Sequence, residues 1–343
     1  MTTVPFDPAR YYSRQIVLKE LGEQGQRRLE GSRVAVIGVG GIGTVSALYL
    51  TLAGVGDIIL VDQDTVELHN LHRQILFSID DIRLPKAEVA ARKLKAVNPE
   101  VDVIPVPDNL REENVEEALG KVDLVVDGLD NMRTRYIVNS ACRRLRIPYV
   151  FGGAIAMEGN VSVFHPPETP CLECVLPAFD DRHLPGCDTR GVLGATAGII
   201  GSIQAMEAIK LLAGIGDTLK GRLLVCDFRQ MEFEKIQIFK REDCGICGTG
   251  TAPRLAPSDR LVWLCGRDTV NINPAKPVDL DLEKAEENLK QRHEVLARSS
   301  IVLVFRYGAA EVSLFRNGRM LIKGAMNEEE ALQIYQKASQ HLA

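Results

Sequence analysis

The 343-residue chain is poor in aromatic residues, at 5%, and holds a single tryptophan. It therefore offers few stacking platforms for nucleobases. It also lacks an excess of positive charge. Its 41 Lys and Arg face 46 Asp and Glu, for a formal net charge of −5. Such a balance argues against nucleic acid or an anionic membrane as the main partner. The opening residues show no basic start followed by an apolar run, so no secretory signal is expected. No apolar stretch matches the roughly 20 residues of a membrane span. The least charged long segment, 191–206, is rich in Gly, Ala and Thr and closes on Glu207 and Lys210, so it reads as a buried small-residue helix. The expected compartment is the cytoplasm. With 45% apolar and 25% charged residues, global disorder and fibrous repeats are excluded. At about 100–200 residues per domain, the length suggests two domains.

What is present is more specific. Of eight cysteines, four form two Cys-x-x-Cys pairs, Cys171/Cys174 and Cys244/Cys247, with 69 residues between them. In a cytosolic chain this is no disulfide framework. Four soft ligands in two knuckles favour tetrahedral Zn²⁺, and a filled thiolate shell reads as structural. Cys142 and Cys226 lie in apolar segments and read as core, and Cys265 as structural. Cys187 stands apart in a polar loop with Arg182, His183 and Arg190, cations able to lower a thiol pKa, and is a candidate nucleophile. The six histidines show no ligand spacing; His69 and His72 read as polar lining of a loop.

Short apolar runs at 33–38, 57–61, 101–105 and 122–126 alternate with helical patterns, the rhythm of a parallel sheet with crossover helices. Further strands are expected at 149–152, 161–164, 223–226 and 233–239, and helices at 15–31, 86–97 and 191–212. After Cys247 a Gly/Pro/Thr-rich linker leads to strands at 260–264, 300–305, 311–315 and 319–322, and helices at 282–294 and 328–341, with Asn317-Gly318 as a hairpin signal. The expected class is α/β: a Rossmann-like, mostly parallel sheet with a mixed second half and a Cys₄ zinc site, plus a small C-terminal α+β domain. The boundary is placed between residues 1–250 and 251–343.

Gly38-Val39-Gly40-Gly41-Ile42-Gly43 follows the first strand and opens a helix, and Asp62 ends the second strand. Glycines admit phosphate to the backbone and to the helix N-terminus, and an acid at that position accepts from ribose hydroxyls. This pattern fits NAD, FAD and ATP alike. Carboxyl ends of parallel strands converge, which would gather Asp62, Arg73, Lys86 and Asp130 in one crevice. Cations and a carboxylate beside a phosphate loop suit a triphosphate with Mg²⁺, although Arg73 and Lys86 read equally well as solvated surface charges.

Together, Gly38–Gly43, the block Val61–Phe77, Pro85-Lys86, the stretch Asp127–Arg135 and the two cysteine pairs resemble the ThiF/MoeB/HesA family of ubiquitin-activating-type adenylyltransferases, over roughly residues 10–250. The resemblance implies ATP, Mg²⁺ and adenylation of the C-terminal glycine of a ubiquitin-like or sulfur-carrier protein ending in Gly-Gly. It implies that Arg14, in Tyr12-Ser13-Arg14-Gln15, reaches across a homodimer to the triphosphate. It assigns the ribose to Asp62, phosphates to Asn70, Arg73, Gln74 and Lys86, and Mg²⁺ to Asp130, with Asn131 beside it. Related enzymes with thioester or persulfide chemistry carry a cysteine near Cys187. Among relatives, Gly153–Gly159 and Gly201–Lys210 look closest to the molybdopterin-synthase type, ahead of the thiamine type. Alternatives are a ubiquitin-activating enzyme that forms a thioester at Cys187 and feeds a conjugating enzyme, and, from another class, an NAD-dependent oxidoreductase. A tRNA-modifying dehydratase is disfavoured because the chain is not basic. Cys265 lacks the loop of a fused sulfurtransferase, so sulfur relay would need a separate partner. The C-terminal module has the faint shape of a half-repeat of a TATA-binding fold, without implying DNA binding, and is expected to hold the carrier or a downstream partner.

Overall fold

The computed structural model describes residues 5–177, 190–250, 261–263, 269–274, 276 and 278–340. Short strands buried on both faces organise its larger part. Apolar residues fill β1 (Arg33–Ile37), β2 (Asp57–Val61) and β4 (Leu124–Asp127), as parallel strands covered by helices require. The sheet runs β3 (Asp102–Val106), β2, β1, β4, β5 (Tyr149–Ile155), β6 (Glu158–Phe164), β7 (Arg222–Asp227) and β8 (Glu232–Gln237). Pairings from β3 to β5 are parallel, and those from β5 to β8 are antiparallel. The expected parallel half and mixed second half are both present.

Of the single helix expected over 15–31, α3 (Gly22–Glu30) and the end of α2 (Ser13–Ile16) are present, and α1 (Pro8–Tyr11) precedes them unanticipated. The crossover helices are α4 (Gly41–Ala53), α5 (Lys86–Val97), α6 (Val115–Leu119) and α7 (Met132–Leu145). The one-turn α8 (Leu172–Val175) and the long α9 (Gly194–Ala213) follow. Helices α4 and α9 are apolar nearly all round and pack on each other, with Ser46 Oγ donating to Gly201 O at 3.0 Å. No helix among the described residues is long and apolar enough to cross a membrane.

The chain divides into two compact units, one of residues 1–63, 69–78 and 87–255, the other of 64–68, 79–86 and 256–343. The second unit holds an antiparallel sheet, ordered β11 (Val295–Arg298), β12 (Val302–Tyr307), β13 (Ala310–Phe315), β14 (Met320–Lys323), β10 (Thr269–Ile272) and β9 (Leu261–Trp263). Helices α10 (Leu282–Leu289) and α11 (Glu328–Gln340) supply Leu282, Leu289, Ala331 and Ile334 to its core, against Phe305, Val312 and Ile322. This is the expected α+β composition. Strands β10 and β11 and the helix α7 were not anticipated from the sequence.

Candidate nucleotide and metal sites

After β1 the chain turns through Gly38 at φ +88°, a conformation that excludes most side chains. A Cβ there would stand 2.5 Å from Gly128 O, in the loop after β4. These two loops therefore meet backbone to backbone where the strand order reverses, with β2 and β3 on one side of β1 and β4 on the other. Open α/β sheets bind ligands at such a point. Asp62, buried after β2, accepts from Val39 N–H through Oδ2 at 2.6 Å. The residue expected at the ribose thus also anchors the glycine loop.

The segment after β2 folds into a turn in which the N–H groups of Arg73 and Gln74 both donate to Asn70 O at 3.1 Å. Asn70 is buried. The turn lies against the first turns of α4 and α9. A Cβ on Gly41 would stand 3.4 Å from Arg73 Cγ, and one on Gly194 would stand 2.6 Å from His72 O. Small residues at two helix starts are what admit Arg73. Its Nη1 donates to His69 O at 2.9 Å.

Gln74 is 3% exposed, and its Nε2 lies 3.9 Å from where a Cβ on Gly40 would stand. Its Oε1 is buried with no hydrogen-bond partner. Leaving a buried acceptor unmade costs about 1–3 kcal/mol, so this atom marks a place for a donor. A ribose hydroxyl, an adenine amino group or water supplies one; a phosphate is served only with the amide turned over to present Nε2.

Asp130 is exposed at the tip of the loop after β4, and its Oδ1 accepts from Asn131 Nδ2 at 3.3 Å. The Asn131 side-chain oxygen caps α7 by accepting from Thr134 N–H at 2.9 Å. Lys86 begins α5, is 6% exposed, and holds Asp64 Oδ2 at 2.9 Å. Asp64 was not singled out from the sequence. Arg14 is exposed on α2. Cys187, Arg182 and His183, like Cys265, lie outside the described residues.

The four knuckle cysteines do converge. Their sulfurs all lie within 4.8 Å of one another, with Cys171 to Cys244 at 3.6 Å and Cys174 to Cys247 at 3.2 Å. A tetrahedron of metal–sulfur bonds near 2.3 Å has edges of about 3.8 Å, so the cluster could hold a metal ion. Leu172 N–H donates to Asn139 Oδ1 at 2.9 Å and Tyr136 hydroxyl to Leu176 O at 2.9 Å, which ties α8 and its cysteines to α7. Arg241 N–H reaches Cys174 Sγ at 3.5 Å. Burial, followed by the neighbouring thiols, pushes the Cys171 thiol well up. Four thiolates in that space therefore need a cation to hold them.

The ThiF family model matches residues 12–246 of this chain. The chain belongs to the ThiF family. The SAMP-activating enzyme E1 of Haloferax volcanii is 44% identical over 240 residues, covering 70% of this chain and 88% of that protein. The sulfur carrier protein ThiS adenylyltransferase of Bacillus subtilis is 34% identical over 332 residues, or 95% of this chain and 98% of that one. Among solved structures, Escherichia coli MccB shares the fold with a TM-score of 0.64 at 22% identity, over 74% of this chain and 76% of that one. Relatives named as adenylating and activating enzymes make this ThiF-family member an enzyme of adenylyltransferase type.

A buried network at this ThiF-family site was not anticipated, although two of its members, Asp127 and Arg135, bound the stretch 127–135. Asp127 ends β4 fully buried, and its Oδ2 accepts from Arg135 Nε at 3.0 Å and from Tyr149 hydroxyl at 2.6 Å. Its Oδ1 accepts from Leu129 N–H at 2.8 Å. Arg135 Nη2 donates to Leu129 O and Gly152 O, at 2.6 and 2.9 Å. The buried Gln204 of α9 donates to Asp127 O at 2.8 Å. This network fixes the loop that carries Asp130. The available signal was an Asp closing the apolar run Val122–Val126, with an Arg eight residues on.

Proposed function

We propose that this enzyme adenylates the C-terminal glycine of a sulfur-carrier protein, releasing pyrophosphate. The observation that carries the reading is the glycine loop at the strand-order reversal, with Arg73 and Gln74, whose buried Oε1 has no partner, packed beside it. The names of the relatives support a sulfur carrier as the protein acted on. The match to the Bacillus subtilis ThiS adenylyltransferase spans 95% of the chain, and so most of the C-terminal unit. That supports a ThiS-like carrier over the molybdopterin type favoured by the Gly153–Gly159 and Gly201–Lys210 stretches.

In this reading the carrier's carboxylate attacks the α-phosphorus of ATP. It is ionised at neutral pH, so no general base is required of the chain. Asp62 and Gln74 accept from the nucleoside; Arg73, Lys86 and Asn70 hold the phosphates. Arg14 of a second copy adds positive charge at the triphosphate. Asp130 would hold Mg²⁺, which would screen the phosphate charge. Cations placed where charge develops on the departing oxygens lower the barrier, and their removal typically costs about 100-fold or more in rate. Cys171, Cys174, Cys244 and Cys247 hold Zn²⁺ as a structural ion away from the reaction. Arg73→Ala is therefore expected to cut ATP–pyrophosphate exchange, run with a ThiS-type carrier, about 100-fold while leaving circular dichroism unchanged. Unchanged exchange would sink the assignment, and NADH binding in its place would favour an oxidoreductase.

The likeness to a protein named SAMP-activating enzyme E1 supports a second step, in which Cys187 takes the carrier from AMP as a thioester. Mass spectrometry of enzyme, ATP and carrier should then show a covalent adduct that Cys187→Ala loses while pyrophosphate exchange persists. An adduct that survives the substitution removes Cys187 from the chemistry.

A further inference from the structure

Within the second unit, residues 64–68 and 79–86 run antiparallel. Val66 N–H donates to Leu84 O at 2.9 Å, Arg83 N–H to Val66 O at 2.9 Å, and Lys86 N–H to Asp64 O at 3.0 Å. One end of this short ladder carries the Lys86–Asp64 pair at 2.9 Å. Its other end is held by two ion pairs to the antiparallel sheet, Arg83 to Glu311 of β13 at 3.0 Å and Glu67 to Lys323 of β14 at 2.7 Å. Glu311 and Lys323 are direct cross-strand partners, so they project from the same face of the sheet. Four charges of alternating sign thus bind both rails of the ladder at once, about one turn of chain from Lys86.

Arg83 supplies a second, independent sign of constraint. It is a non-glycine residue at φ +76°, a conformation that persists only where surrounding contacts impose it. Ile82 N–H to Ile79 O at 3.2 Å and Leu84 N–H to Asp81 O at 3.0 Å close the turn locally, and the ion pairs to β13 and β14 add to that constraint.

We infer that the C-terminal unit serves the nucleotide step by fixing Lys86, with Glu67, Arg83, Glu311 and Lys323 as positioning residues. The inference rests on the reading of Lys86 as a phosphate ligand. It gives the strands that carry Glu311 and Lys323 a task in positioning Lys86, where the sequence had suggested only the handling of a carrier or downstream partner. A paired lysine with its backbone pinned three residues from a clamp meets a phosphate with little reorganisation, and losing the clamp lets both Lys86 and Asp64 drift.

The test is titration calorimetry of ATP with Mg²⁺ into the full-length protein. Glu311→Arg and Lys323→Glu should each weaken ATP binding about two- to five-fold, the scale of a part-exposed ion pair. The exchange Arg83→Glu with Glu311→Arg should restore affinity to within about two-fold of wild type, a rescue that general destabilisation would not give. Glu311→Gln and Lys323→Gln carry the same test if the reversals unfold the unit. Wild-type affinity in the single variants, or no rescue in the exchanged pair, overturns the clamp. Lys86→Ala separates the two layers: if it weakens ATP binding and the clamp variants do not, the clamp alone is wrong. If Lys86→Ala binds ATP as wild type does, the phosphate role of Lys86 and the clamp fall together.

Discussion

With the four cysteines holding zinc as proposed, Cys244→Ser is expected to lose the metal and to lower the stability of the larger unit by roughly 4 kcal/mol or more, the scale reserved for loss of a metal or a buried network. The magnitude follows from how the cluster joins two distant pieces of chain. Cys171 and Cys174 flank the single turn α8, and Cys244 and Cys247 lie in the turns beyond β8, whose own side chains are all exposed. These two pieces, 69 residues apart between Cys174 and Cys244, meet at four sulfurs within 4.8 Å. A closed four-sulfur shell contributes folding free energy directly, because no such site exists in the unfolded chain. With one ligand gone, the remaining thiols must protonate or repel, and the pairing of Cys171 with Cys244 at 3.6 Å disappears. Metal content by mass spectrometry and the midpoint of urea unfolding check both halves of the expectation. Cys226→Ala is the control: Cys226 is buried in β7, its thiol pushed up to about 11 by burial, and it lies outside the cluster. Its replacement should leave metal content at the wild-type level. Full metal content and an unchanged midpoint in Cys244→Ser would remove the cluster from the account of stability.

The parallel half of the fold was legible because its signals are local. Arg33–Ile37 is apolar on both faces, the glycines follow at once, and α4 begins at Gly41, so one short stretch carries strand, turn and helix together. The cysteine pairs were legible by spacing alone. Helix α7 was missed because its buried face includes Arg135 and Asn139 beside Tyr136, Ile137 and Cys142, which breaks the apolar stripe that a helix shows in sequence. The first helix was expected across 15–31, but Gly22 sits at φ +55° and α3 starts there. Strand β10 is four residues long and buries Asn271 among apolar neighbours, so it carries no alternation to read. At the candidate site the motif residues announced themselves, whereas their supports did not. Lys86 finds Asp64 twenty-two positions earlier, and Asp127 finds Tyr149 twenty-two positions later. The first pair is a product of the short ladder between residues 64–68 and 79–86, the second of the strand order, which brings β4 beside β5 and seats Gln204 of α9 over both.

Arg135→Met should destabilise the enzyme by about 3–5 kcal/mol at pH 8, because it strands a carboxylate in the core without its cation. Asp127 has no exposed surface, and Arg135 is its only ion-pair partner among the described contacts. Burial already pushes Asp127 above the ordinary carboxylate range, opposed by Arg135 and then by the Tyr149 hydroxyl and Leu129 N–H. Removing the guanidinium lets burial act with less opposition, so the folded-state value climbs further. A carboxyl group whose pKa is higher folded than unfolded binds more protons in the folded state. Stability then falls as pH rises from the unfolded value, about 3.9, through the raised folded value. The deficit of Arg135→Met should accordingly be smaller at pH 5 than at pH 8, where protonation no longer relieves the charge. Removing both members of the pair, Asp127→Leu with Arg135→Met, should recover part of the loss at pH 8, since no buried charge remains. Urea unfolding at the two pH values measures each term, and equal deficits at both, with no recovery in the double variant, would contradict the electrostatic account. The same substitution frees Leu129 O and Gly152 O from their donor. Gly128 packs on Gly38 at backbone distance, so a shift of the loop after β4 is passed to the glycine loop after β1. Pyrophosphate exchange in Arg135→Met should therefore fall at pH 5 as well, where the stability deficit is smaller, because the hydrogen bonds that place the loop are still missing.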